Sequence, residues 1–255
     1  MKGGIVPTMS WRLLVLLALL GVLVVAAGTA VSPARAADEC RGLPVCLPVA
    51  GPWVVIPAGR SGQVSTTRYD LRCPLRGYVV AGVDARLSDR RIDVSYRAET
   101  GSPVAPGVTT GRSVVFTGAY AGAERKTTSF RPFIGCVPTS GGGGRAATAH
   151  APSRTPAAFR PGKPTELRVA TVQVGPGATR SATARCARGD RLISASHAIG
   201  FYTPEGPPSA LVQGVRVARS VRGGVVTARI AAAASLPTTV IVELQVLAFC
   251  ARGGR

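Results

Sequence analysis

Two pairs of cysteines, almost equally spaced, constrain this chain more than any other feature. Cys73 and Cys136 lie 63 positions apart, and Cys186 and Cys250 lie 64 apart. Each first cysteine opens a short basic turn and then an apolar run, Cys73-Pro74-Leu75-Arg76-Gly77-Tyr78-Val79-Val80 in one case and Cys186-Ala187-Arg188-Gly189-Asp190-Arg191-Leu192-Ile193 in the other. The strand leading to each first cysteine alternates. Thr67, Tyr69, Leu71 and Cys73 share a parity against Arg68, Asp70 and Arg72, and Ala182, Ala184 and Cys186 share one against Ser181, Thr183 and Arg185. A two-residue period is the mark of a half-buried strand. The chain therefore reads as two copies of one disulfide-closed β-unit, offset by 113 residues.

Further strands follow from the same alternation. In the first copy they are Tyr78 to Val83, Ile92 to Ala98, Ser113 to Tyr120 and Thr127 to Cys136, where Pro132 suits an edge position or a bulge. In the second they are Leu192 to Ile199, Leu211 to Ala218, Val225 to Ala232 and a last strand with Val240, Val242, Leu244, Val246, Ala248 and Cys250 on one apolar face. Glu243 and Gln245 fall on its other face. No stretch after the N-terminal segment has a helical period. The expected fold is all-β: two tandem antiparallel sandwich-like units, each closed by a disulfide.

The boundaries follow from composition. Residues 1–36 read as a secretory signal peptide, with Lys2 and Arg12 before the uncharged apolar run Leu13 to Ala27 and Ala34-Arg35-Ala36 as the cleavage site. An uncleaved anchor is the competing reading, and with it the one route to a membrane. Residues 37–52 form a Cys-bracketed, Pro-rich lead-in, 53–137 the first β-unit, 138–164 a Gly/Pro/Ala-rich linker and 165–255 the second β-unit. The expected location is secreted or on the extracellular face of the cell envelope.

All six cysteines (Cys40, Cys46, Cys73, Cys136, Cys186 and Cys250) lie in the exported part, and an even count there reads as disulfides. Six permit fifteen connectivities. Five residues including Gly42 and Pro44 let Cys40 turn back onto Cys46. Pairing each unit's first and last strands would set Cys73 beside Cys136 and Cys186 beside Cys250.

Residues Cys186 to Ile193 with Phe249-Cys250, and likewise Cys73 to Cys136, resemble a Cys-to-Cys β-repeat of secreted actinobacterial proteins of unknown function. The resemblance covers about half the chain and implies export and a β-fold; the group carries no assigned activity. Ser194-Ala195-Ser196 stands where that group often has glycines.

Charge gives the lead to a partner. The net charge is +19, and without Lys2, Arg12 and Arg35 the chain keeps 28 basic residues against 12 acidic ones. A GC-rich coding bias accounts for arginine over lysine but not for the deficit of acids. An anionic cell-envelope polymer or surface is the expected partner, and export with few aromatics argues against a specific nucleic-acid role. Arg185, Arg188, Arg191, Arg216, Arg219 and Arg222 are the candidate anion-binding residues, with Arg180 and Arg229 nearby, because guanidinium forks bind phosphate and carboxylate.

The competing class is a secreted hydrolase. His197 stands near Ser194 and Ser196, yet there is no GxSxG elbow and no HExxH. Asp84, Asp89 and Asp93 lack the ligand spacing of a calcium loop, and Arg86, Arg90 and Arg91 among them favour solvated ion pairs. No catalytic, metal-binding or cofactor-binding residues are assigned, and the function expected is that of a structural or binding module.

Overall fold

A computed structural model describes residues 38–40, 43, 45–59, 64–98, 111–122, 126–139 and 165–251. The export segment read over 1–36 and nearly all of the linker lie outside them. The remainder, from Ala37 on, forms one compact unit. The chain is nearly all strand: β1 (Leu47–Ala50), β2 (Trp53–Ile56), β3 (Ser65–Arg72), β4 (Tyr78–Leu87), β5 (Ile92–Ala98), β6 (Ser113–Tyr120), β7 (Thr128–Pro138), β8 (Thr165–Val174), β9 (Thr179–Arg185), β10 (Arg191–Tyr202), β11 (Val215–Arg222), β12 (Val225–Ala232) and β13 (Ile241–Ala251). Among the described residues the other elements are a 3-10 turn (Asp38–Cys40) and one short helix, α1 (Ser209–Gln213). Among the described residues no helix is long and apolar enough to cross a membrane.

The strands form three sheets. One has seven strands and runs β4–β7–β2–β10–β13–β8, with β1 beside β2 on the same edge of β7. The others are β3–β6–β5 and β11–β12–β9. The β2–β10 pairing (Val54 with Gly200, Trp53 with Phe201) joins a strand that precedes Cys73 to one between Cys186 and Cys250 in one ladder. Strand order is the same on either side of that joint: β2, β7, β4 with β3, β6, β5, then β8, β13, β10 with β9, β12, β11.

The two small sheets lie on opposite faces of the large one. Val54 and Ile56 face a core with Leu71, Val114, Phe116, Phe130 and Ile134, beneath the β3–β6–β5 sheet. Val55, of opposite parity, joins Val226, Ile230, Leu244 and Val246 beneath the β11–β12–β9 sheet. The β3–β6–β5 sheet is buried on its outer side as well. Val115, which points away from Val114 and Phe116, packs on Leu167 and Leu247 of β8 and β13.

The disulfides are Cys40–Cys46, Cys73–Cys136 and Cys186–Cys250, the pairs read from the sequence, and they indicate an oxidising, extracellular environment. The strand pairing behind two of them differs from expectation. The strand leading into each first cysteine does not pair with the strand that carries the second: β3 pairs with β6, and β9 with β12, while β2 and β8, the first strands of the two units, pair with β7 and β13. Each long-range bridge instead ties a small sheet to the large one. In both turns after the first cysteine a glycine takes the left-handed conformation, Gly77 (φ 78°) and Gly189 (φ 89°).

Several local expectations change. β8 carries an alternating Leu167, Val169 and Thr171 that sequence reading left unassigned, and β1 falls within the Pro-rich lead-in. Leu211 to Gln213, expected as strand, is helical, because Pro208 enters a turn that Gly214 closes with bonds to Ala210 and Leu211. Pro132 sits in β7, an interior strand, and not at an edge. Its carbonyl accepts Gly51 N–H (2.8 Å) at the break between β1 and β2, so its missing N–H falls where no ladder partner stands. Gly82 and Gly135 face each other across β4 and β7 and leave a notch for the Glu39 backbone; a side chain on either would collide with the Glu39 carbonyl.

Candidate functional site

The exposed arginines sort by strand register. On β12 the residues Val226, Ala228, Ile230 and Ala232 point into the core, so Val225, Thr227, Arg229 and Ala231 point out. Their partners on β11 (Arg222, Ser220, Ala218, Arg216) and β9 (Arg185, Thr183, Ser181, Thr179) point out with them. The outer face of this sheet therefore carries four arginines and several hydroxyls, and no acid. Arg185, Val225 and Arg222 form one cross-strand row, which sets the two arginines about 10 Å apart at the strand level. Arg216 lies about 20 Å from Arg222 along β11. Thr183 and Thr227 share a hydrogen bond (3.1 Å) at the centre. Among the described residues none of the four arginines lies within ion-pair distance of a carboxylate.

The six expected arginines thus do not make one face. Arg185, Arg216 and Arg222 do, and Arg229 completes it. Arg219 pairs with the buried Ala228, so it points inward and donates to the Ala195 carbonyl of β10 (3.0 Å). Arg188 is exposed in the Gly189 turn, and Arg191 begins β10 in the large sheet. The spacing Arg216, Arg219, Arg222 is odd, and an odd step on a strand reverses the face.

His197 is half-buried on the side of β10 that faces Arg219. Burial, and then the Arg219 charge, lower its pKa from the ordinary value. Ser196, its neighbour in the strand, points to the opposite face, and the Ser196 hydroxyl and His197 Nδ1 are buried without a hydrogen-bond partner among the described residues. A guanidinium beside the imidazole, in place of a carboxylate, is the reverse of what a general base requires. Asp89 pairs with Arg91 (3.1 Å) and Lys126 (2.7 Å) on the β4–β5 turn, which holds its carboxyl well below the usual range. No group of three metal-ligating side chains occurs among the described residues.

No family model, curated protein or solved structure matches this chain.

The structure also assembles a polar cluster that sequence reading did not anticipate. Glu243 on β13 is buried (4% exposed). Its Oε1 accepts the Tyr69 hydroxyl (2.6 Å), and its Oε2 accepts the Tyr202 hydroxyl (3.0 Å) and Gln173 Nε2 (3.1 Å). Two residues along, Gln245 uses its amide as a strand would. Its Oε1 accepts Asp70 N–H (2.6 Å), and its Nε2 donates to the Asp70 carbonyl (2.9 Å), which satisfies the open edge of β3. A cleft of about 320 Å³ beside them is lined by Tyr69, Asp70, Arg72, Thr171, Glu243 and Gln245. Its amide and carboxylate at Gln245 and Glu243 are occupied by these bonds, so the cluster serves to fasten β3 to β13. The sequence cue was an acid and an amide on a strand whose other face is wholly apolar.

Alkaline titration reads this cluster directly. Burial first, and then Glu243, raise the pKa of Tyr69 well above its ordinary value and push that of Tyr202 up to about 12. Burial, with Asp84 and Asp93, likewise raises Tyr96. A folded-state value above the unfolded one favours the protonated group in the native state. The stabilisation is therefore complete below the unfolded value of about 10 and lost as pH rises through the folded value. Tyrosinate absorbance should show Tyr69, Tyr96 and Tyr202 still largely protonated at pH near 11, with stability falling across about pH 10 to 12. Ionisation of all tyrosines near pH 10 in the folded protein would contradict the buried assignment.

Proposed function

We propose that this protein is an exported binding module, built from two copies of one disulfide-closed sandwich, that engages an anionic cell-envelope polymer through the outer face of its β11–β12–β9 sheet. The observation that carries the reading is the open face bearing Arg185, Arg216, Arg222 and Arg229, none of them paired with an acid among the described residues. A rigid sheet fixes these forks at spacings suited to successive charges on an extended polymer. The equal strand order of the two halves supports the two-copy reading, and the three disulfides support export.

The corresponding outer face of the β3–β6–β5 sheet is covered by β8 and β13, through Val115 on Leu247, Asp70 on Gln245 and Arg68 stacked 5.2 Å from the Phe249 ring. The equivalent contact on a second molecule would set the open arginine face against β7, which presents Arg131 and Phe133 where β13 presents Gln245 and Leu247. Like charges oppose that association, and an anionic partner relieves them.

A pull-down on purified bacterial cell wall tests the proposal. Retention should be strong near 0.1 M salt and lost near 1 M, as the screening length falls from about 10 Å to about 3 Å. Replacing Arg185, Arg216, Arg222 and Arg229 by glutamine should lower retention about tenfold or more, at roughly one charge-assisted contact or more lost. Equal retention of the variant would refute the face as the binding surface.

A further inference from the structure

The half of the large sheet that the β11–β12–β9 sheet leaves open carries a second arrangement of arginines. Ser129 pairs with Val55, whose side chain enters the core beneath the β11–β12–β9 sheet. Arg131 and Phe133 share the parity of Ser129 on β7, and Asp84 and Arg86 lie opposite Phe133 and Arg131 on β4. Two arginines therefore stand directly across from each other in an antiparallel ladder, where like charges are destabilising. Both guanidinium groups lean on one ring, with Arg86 5.9 Å and Arg131 5.6 Å from the centre of Phe133.

The pair is held and left uncompensated. Arg131 is half-buried, and its Nε donates to the Gly51 carbonyl (3.0 Å), which directs the terminal nitrogens of the fork outward. Those nitrogens make no hydrogen bond among the described residues, and the Arg86 guanidinium makes none at all there. Neither lies within ion-pair distance of a described carboxylate. Of the acids on this face, Asp84 accepts its neighbour's N–H, Ala85 N to Oδ1 at 2.8 Å, and Glu39 is buried where its backbone sits over Gly82 and Gly135. Burial, and then the Arg86 charge, lower the Arg131 pKa, the direction expected of two cations with no anion between them.

We propose that Arg86 and Arg131, braced by Phe133, form a seat for one tetrahedral oxyanion, a phosphate group. Two forks arriving from two strands suit a tetrahedral group, whose oxygens point in three dimensions. A planar carboxylate presents its two oxygens to one fork in one plane. The seat shares no residue with the arginine face of the β11–β12–β9 sheet, so either can fail without the other. Inorganic phosphate is the probe, and it represents a phosphate carried by a polymer or a free one.

The test is a titration of the full exported chain with inorganic phosphate at fixed ionic strength, read at the arginine side-chain Nε–H resonances by NMR, with acetate in parallel. The Arg86 and Arg131 resonances should shift together and saturate with phosphate and not with acetate. Arg86→Gln should weaken phosphate binding by about tenfold, as expected for one charge-assisted contact, and Arg216→Gln should leave it unchanged. Arg86 is exposed and makes no hydrogen bond among the described residues, so its variant keeps the test valid even where Arg131→Gln disturbs folding. Unsaturated shifts spread over all arginines, equal saturation by acetate, or unchanged affinity in Arg86→Gln would each overturn the assignment. Polyphosphate binding tighter than inorganic phosphate at the same two resonances points to a polymer-borne group, and equal binding to a free one; both retain the seat.

Discussion

Replacing Cys186 and Cys250 together by alanine should destabilise the folded protein by about 4 kcal/mol. In the chain-entropy account, a closed loop of 64 residues restricts the unfolded chain by roughly that amount. Packing loss adds to it, because both sulfurs lie in the core, with Cys186 7% and Cys250 0% exposed. The bridge ties the β11–β12–β9 sheet to β13, so its loss also loosens the sheet that carries the arginine face. Urea unfolding of the double variant beside the native chain measures the effect. A change below about 1 kcal/mol would show that the inter-sheet core holds without the staple. The Cys73–Cys136 bridge closes a loop of nearly equal length and should act comparably on the β3–β6–β5 sheet.

The Glu243→Ala substitution should cost a similar amount, about 3 to 5 kcal/mol, for a different reason. It removes the acceptor of three buried donors, Tyr69, Tyr202 and Gln173, and leaves those donors without partners. The Tyr69→Phe change removes one donor and leaves the carboxylate with two, so its cost should be smaller, about 2 kcal/mol. The double variant should cost less than the sum, since the Tyr69 hydroxyl is no longer there to be orphaned. Denaturant melts of the four proteins complete the cycle. Strict additivity would mean that Tyr69 and Glu243 do not interact in solution. The cluster joins β3, which leads into Cys73, to β13, which carries Cys250, so its rupture should also weaken the hold of the β3–β6–β5 sheet on the large sheet.

The proposed arginine face was partly legible in advance. Arginine surplus and alternation indicated a basic exposed face, and Arg185, Arg216 and Arg222 share one. Arg219 left the set because it sits an odd number of residues from its neighbours on one strand, and Arg229 entered it through β12. The Arg86–Arg131 pair was not legible. The two are 45 positions apart, and β-register alone sets them opposite each other.

By itself the sequence determined that the chain is built of strands and where most of them run, and its repeated cysteine spacing pointed to the pairs that bond. A two-residue period and a repeated cysteine spacing are local or nearly local signals, and they survive without knowledge of the partner strand. Tertiary structure decided which face of each strand is covered. Alternation shows that Asp70 and Val115 lie on the polar side or within an apolar run, but not that β8 and β13 bury that side. It also decided that the bridges link sheet to sheet in place of strand to strand. It buried Glu243 and Gln245 where alternation shows only a face they share with Ile241, Leu247 and Phe249, and it left the matching face of the β11–β12–β9 sheet open. The cause is that burial of a sheet's second face depends on docking between segments far apart in the chain, and no local periodicity records it.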